Sequence, residues 1–187
     1  MIAGWTILAL IAVLCIWSMV VYNRLVTLIN DIRNAWSQID IQLKRRYDLI
    51  PNLVASVKGY MDHEKQVFDK VVAARSKAIS ATHIREKAAA EEGLSRELKG
   101  LFALIEGYPN LKSNQHVLRL QEELVSTENR ISFSRQLYND LVANFMTKRE
   151  VFPDMIIASF FRFKKVEYFS ASPDERPFPA NTSVSRP

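Results

Sequence analysis

Cysteine, glycine and histidine are all scarce in this chain, and each scarcity removes a class of chemistry. A single cysteine, Cys15, among 187 residues excludes an internal disulfide and a cysteine-based zinc site within one chain. Five glycines are few for a β-rich or α/β protein. Gly59, Gly93, Gly100 and Gly107 stand apart from one another, whereas phosphate loops need close-set glycines so that backbone N–H groups converge. No G-x-S-x-G turn is present to expose a nucleophilic serine. Of seven prolines, Pro173, Pro177, Pro179 and Pro187 crowd the C-terminal end. The composition therefore reads as helices followed by a frayed tail.

The three histidines are His63, His83 and His116. His63-Glu64 opens like a zinc-protease helix, but Val67 stands where the second histidine is required. The Glu-x-x-His pattern of helical di-metal sites is missing too, because Tyr60 and Ser113 precede His63 and His116 by three residues. Asp62, His63 and Glu64 are read as a solvated polar face, and no cofactor is expected. The pairs Glu91-Glu92 and Glu122-Glu123 diverge by about 100° on a helix and read as solvated. A net charge of +5 is too small and too dispersed for nucleic acid and suits a protein near anionic lipid.

Charge is missing altogether from Met1 to Asn23, where Ile, Leu, Val, Ala, Trp and Met dominate. About 20 helical residues span roughly 30 Å of hydrocarbon. A cleaved signal peptide would need a basic start, a shorter apolar core and small residues at a cleavage site. Those features are lacking, so residues 1–23 are expected to be a transmembrane helix. Trp5 and Tyr22 lie near its ends, where amphipathic rings favour the interface. Arg24 and Arg33 follow the run, with Lys44, Arg45 and Arg46 beyond. This asymmetry predicts the N-terminus outside and the rest in the cytoplasm.

Beyond the anchor the rhythm is helical. Leu25, Leu28, Ile29, Ile32, Trp36, Ile39 and Leu43 recur at three- and four-residue steps. A second stripe runs from Ile50 to about Ile79, a third segment covers Glu86–Glu106, and a fourth covers Leu111 to about Lys148. Gly107, Tyr108, Pro109 and Asn110 make a turn between the last two. Pro51 disrupts a helix interior by about 3 kcal/mol, and Asp48 can cap or turn. A reversal or sharp break is therefore expected there, with Lys44, Arg45 and Arg46 complementing the dipole of a helix end. The fold class is all-α: a transmembrane helix continuing into an antiparallel up-and-down bundle of about four long helices. The bundle should occupy residues 24–169, with a C-terminal strap over 151–169 and a disordered tail over 170–187. Met155–Phe163 is strongly apolar. It reads as part of that strap, and less simply as a second membrane contact with Arg162, Lys164 and Lys165 on phosphates.

Some polar residues interrupt the stripes. Glu128, Arg135 and Asn139 share a helix face flanked by Ile131 and Tyr138, and Arg75 holds a comparable place on the second stripe. They are read as a Glu–Arg network across helices, in preference to a solvated set.

The chain resembles the LemA family of bacterial membrane proteins. The resemblance rests on YNRLV (Tyr22–Val26), AWSQIDIQLKRRYDLIPNLVASVKGYMDHE (Ala35–Glu64) and Ala74-Arg75. It continues through LFALIEGYPNLKSN (Leu101–Asn114), LQEELVSTENRI (Leu120–Ile131), SRQLYNDLV (Ser134–Val142), Phe152-Pro153 and Glu167–Phe169. One departure is that Phe145 and Met146 stand where the family pattern has a second Tyr-Asn. The resemblance implies a membrane anchor and a cytoplasmic bundle of four helices, and it favours the reversal near Pro51. It assigns no reaction and no catalytic residues. With the interrupted stripes, it makes Arg45, Arg46, Asp48, Pro51, Asn52, Arg75, Glu106, Tyr108, Pro109, Glu128, Arg135, Tyr138 and Asn139 candidates for structural or interaction roles. The expected function is a non-enzymatic scaffold at the cytoplasmic face of the bacterial inner membrane. Its expected partners are the lipid bilayer, further copies of itself and membrane proteins such as membrane peptidases. The alternatives are a metal-dependent enzyme or subunit with an inter-helix His/Glu site, and a membrane-remodelling coat.

Overall fold

The computed structural model describes residues 2–61 and 63–170. The expected disorder of the tail beyond Ser170 lies outside the described residues, as does Asp62. Among the described residues six helices follow one another: α1 (Ile2–Lys58), α2 (Lys65–Ser80), α3 (Ile84–Glu106), α4 (Pro109–Lys112), α5 (Gln115–Glu150) and α6 (Asp154–Phe160). No strand occurs among the described residues, and the protein is all-α.

Two compact units divide the chain. The first comprises Met1–Arg46 and Val125–Tyr168, the second Tyr47–Leu124 and Phe169–Pro187. Both α1 and α5 therefore contribute residues to each unit.

The expected reversal at Pro51 does not occur. Pro51 lies inside α1, which continues to Lys58. The reason is the phase of the apolar seam. Ile39, Leu43, Ile50, Leu53 and Val57 are all fully buried, and their spacing of three, four or seven residues keeps one helical face through Pro51 unbroken. A reversal would have exposed half of that seam, and Pro51 itself faces solvent. The turn comes later, over Gly59–Glu64, closed by Tyr60 N–H to Val57 O at 3.0 Å and Glu64 N–H to Met61 O at 3.1 Å. The expected single helix from Ile50 to Ile79 is thus two helices, with Met61 buried between them.

In the second unit, the link over residues 81–83 folds α3 back on α2, and the two pack together. Phe68, Val71 and Ala78 of α2 and Leu94, Leu98, Leu101 and Ile105 of α3 are buried there. Gly107 ends α3, and Pro109 starts α4 at a position where its missing N–H has no helical partner to lose.

In the first unit, α1 changes character along its length. Residues 4–16 are exposed, and burial begins at Val21. Leu25, Ile32, Ala35, Ile39 and Leu43 then form its core face, and Ile131, Tyr138, Val142 and Phe145 line α5. Within residues 151–169, expected as a strap, lie α6 and the irregular segment after it. Its turn is a Schellman motif, with Phe163 N–H on Ala158 O at 2.9 Å and Arg162 N–H on Ser159 O at 3.1 Å. Arg162 occupies the left-handed position, φ 54°, where glycine is usual and an L-residue costs about 1–2 kcal/mol.

Candidate functional site

Each unit holds a polar cluster in its interior, and Arg46 of the KRRY stretch belongs to the first of them. Arg46 follows Leu43 by three residues and precedes Ile50 by four, so helical periodicity puts it on the buried seam. It is 1% exposed and donates to the Glu128 carboxylate of α5. This corrects the expectation that Arg46 lies at a helix end, since the helix continues to Lys58 and the guanidinium is inside. Arg45, its neighbour, is exposed. Glu128 keeps 39% of its side chain exposed, so the pair is desolvated mainly on the arginine side. The expected Glu–Arg network thus has Glu128 paired with Arg46. Arg135 and Asn139 are half-buried farther along α5.

Tyr138 is the second anchor in this unit. Its ring meets Trp36 edge-on at 5.6 Å, and its hydroxyl donates to the Glu167 carbonyl at 2.9 Å. Arg149 Nε holds the Phe163 carbonyl at 2.9 Å. The strap is therefore tied to α5 through its backbone carbonyls. Burial, and secondarily the Glu167 charge, push the Tyr138 hydroxyl up from 10.0 to about 12. Between those values the unfolded chain has released a proton that the folded chain retains, so stability falls as pH rises. Tyr138→Phe should lower stability at pH 8 by about 1 kcal/mol for the lost hydrogen bond. It should also flatten the alkaline loss relative to wild type, and denaturant titrations from pH 8 to pH 12 check both effects.

The second unit is organised around Tyr47. A proline has no N–H for the carbonyl four residues before it, and for Pro51 that carbonyl belongs to Tyr47. Arg75 of α2 supplies a donor, with its Nε 2.8 Å from Tyr47 O. The Tyr47 hydroxyl donates to Glu91 of α3. One residue of α1 thereby fixes α2 through its carbonyl and α3 through its ring. Glu91 is 2% exposed, contrary to its reading as half of a solvated acidic pair. It lies three residues before Leu94 and seven before Leu98, on the buried face of α3.

Tyr47 and Glu91 were missed among the site candidates, although signals for both were present. A proline inside a continuous apolar seam marks the carbonyl four residues earlier, and Glu91 sits at a core position of its stripe. Other candidates stay outside the clusters. Asp48, Pro51 and Asn52 are exposed on α1, and the Asn52 carbonyl accepts from Ser56 Oγ at 2.7 Å. Glu106 and Pro109 are exposed at the α3–α4 turn, and Tyr108 is half-buried there. Among the described residues no group of three or more His, Cys, Asp or Glu side chains is placed to hold a metal.

The LemA family model matches residues 35–182, which takes in the Arg46 and Tyr47 clusters and the strap. The chain belongs to the LemA family. It is similar to magnetosome protein MamQ of Magnetospirillum gryphiswaldense, 25% identical over 178 residues that cover 81% of this chain and 65% of MamQ. MamQ 2 of Paramagnetospirillum magneticum is 23% identical over the same shares. Protein LemA of Metamycoplasma hominis is 26% identical over 155 residues, 82% of this chain and 71% of that protein. The chain thus spans 65% of the length of the MamQ relatives it matches. Family membership and an α1 segment apolar and long enough to cross a membrane, almost wholly exposed, make this LemA-family chain a membrane-associated helical protein.

Proposed function

We propose that this LemA-family protein is a non-enzymatic scaffold, anchored by the start of α1 in the bacterial inner membrane with its helical units in the cytoplasm. It assembles with further copies of itself and docks other membrane proteins there. The observation that carries this reading is α1 itself. Its exposed apolar N-terminal part runs without a break into the segment that forms the core of the helical units. The polar clusters support it, because their charged groups pair with one another and with backbone inside the fold.

Self-association is supported by a stripe left uncovered on α5. Val125, Phe133 and Leu137 are 49%, 71% and 43% exposed. They fall within about 120° of one another around the helix, opposite its buried side. Such a face on a long helix packs readily against a like face, and a symmetric homo-oligomer is the usual result. Native mass measurement of the detergent-solubilised full chain should therefore give an oligomer, and Phe133→Lys should shift it toward monomer. A wild-type chain that stays monomeric at every concentration overturns self-assembly.

A further inference from the structure

We propose that α6 and the turn after it form a second, interfacial contact with the lipid bilayer, beside the point where α1 leaves the membrane. This rests on the anchor reading above and adds a second lipid-facing element to it.

The first observation is an inverted helix. Around α6, Ile157 and Ala158 point inward, whereas Met155, Ile156 and Phe160 are 47%, 51% and 77% exposed. With 100° per residue these three cover an arc of about 140°. The outer face of a surface helix is ordinarily polar. Here it is apolar and aromatic apart from exposed Ser159, and exposed Phe152 and Phe161 extend it on either side.

The second observation is position. The Tyr22 ring lies 4.7 Å from Phe161 and 5.7 Å from Phe163. Tyr22 lies one residue before the end of the uncharged run, and Arg24 is the first charged residue after it. The turn after α6 is therefore held at the level where the apolar part of α1 ends. An open groove of about 470 Å³ runs along α1 from Ile11 to Met19 and ends at Tyr22 and Phe161. Phe161 thus stands against the part of α1 expected within hydrocarbon.

The third observation is charge. Arg162 and Lys164 are exposed immediately after the aromatics, and Lys165 is exposed with Glu150 3.9 Å from its Nζ. An apolar aromatic face followed by cations suits the boundary between acyl chains and phosphates. The same order is poorly suited to a second protein surface, where cations next to an apolar patch would need matching carboxylates.

Spin labelling of the full chain tests this directly. Cys15→Ser removes the native thiol, and Phe160→Cys carries a nitroxide. The protein is reconstituted in vesicles of phosphatidylcholine with a minority of phosphatidylglycerol. Accessibility to oxygen and to a water-soluble nickel chelate is compared with labels at Met19→Cys in the apolar run and Val72→Cys on α2. The label at 160 should favour oxygen over nickel several-fold relative to the label at 72. Phe152→Cys gives an independent reporter, because the Phe160 ring touches Phe161 at 5.1 Å. Nickel accessibility at 160 and 152 equal to that at 72 overturns the contact. Poor access to both reagents, or spin–spin broadening that vanishes on dilution with unlabelled chain, also overturns it by showing protein over the patch. A water-like label at Met19 would instead defeat the anchor reading.

Discussion

Glu128→Ala should lower the stability of the full chain by about 3 kcal/mol. That is the lower end of the loss when one partner is removed from a buried ion pair, because the Glu128 carboxylate is partly hydrated. For a chain of this size the melting temperature should fall by roughly 6–12 °C. The reasoning lies in the asymmetry of the pair. Arg46 is the desolvated member, so deleting Glu128 takes counter-charge from a guanidinium that water cannot reach. Arg46→Met removes the buried charge and keeps much of the volume, and the remaining carboxylate can turn to solvent. It should lose no more than about half as much. Glu128→Gln keeps the shape, reduces the charge complementarity and should fall between the two. Thermal unfolding of the three variants in one detergent checks the order. Glu128 variants that melt with wild type would show that the pair contributes nothing.

The same residues show what the sequence could and could not disclose. The all-α class, the apolar first helix and a third segment over 86–106 are legible, because each rests on a strong period and on Gly and Pro punctuation, whereas the segment expected from Leu111 to about Lys148 is divided into α4 and α5. The path through Pro51 was misread. Proline's local penalty predicts a break, but the seam runs on across it from Ile39 to Val57, and seam burial outweighs a local helix defect. Glu91 reads as solvated by residue type and Arg46 as part of a helix end, although their stripe positions point inward. Pairing with Glu128 and Tyr47 is what makes those positions tolerable, and partners eighty-two and forty-four residues away in the chain leave no local trace. The apolar face of α6 was ambiguous for another reason. MIIASFFRF reads as apolar wherever it sits, and only the tertiary placement shows which side of the segment is left uncovered.

Arg75→Met should destabilise the chain by about 1–3 kcal/mol, and most of that loss should depend on Pro51. The Tyr47 carbonyl has no helical donor from position 51, because proline lacks the N–H. The guanidinium at 2.8 Å takes that place. Loss of a charged donor to a buried carbonyl costs in that range, and Met preserves the aliphatic packing of the arginine stem. Pro51→Ala restores an N–H four residues after Tyr47 on an exposed position of α1, where the side-chain change disturbs no core contact. By itself it should stabilise the chain, by less than the roughly 3 kcal/mol of an unsupported helix proline, since Arg75 already serves the carbonyl and the unfolded chain becomes freer. In the Pro51→Ala background the new N–H serves the carbonyl, so Arg75→Met should cost clearly less than in wild type. The double-mutant cycle should then give a coupling of about 1–2 kcal/mol. Denaturant midpoints at constant slope read it out. Equal costs of Arg75→Met in both backgrounds would show that Arg75 stabilises α2 by packing alone, and that the proline and the arginine, twenty-four residues apart, are independent. A coupling of the expected size would explain how a helix tolerates a proline near its end. The defect in α1 is mended from α2, and the mending bond fixes the register between the two helices.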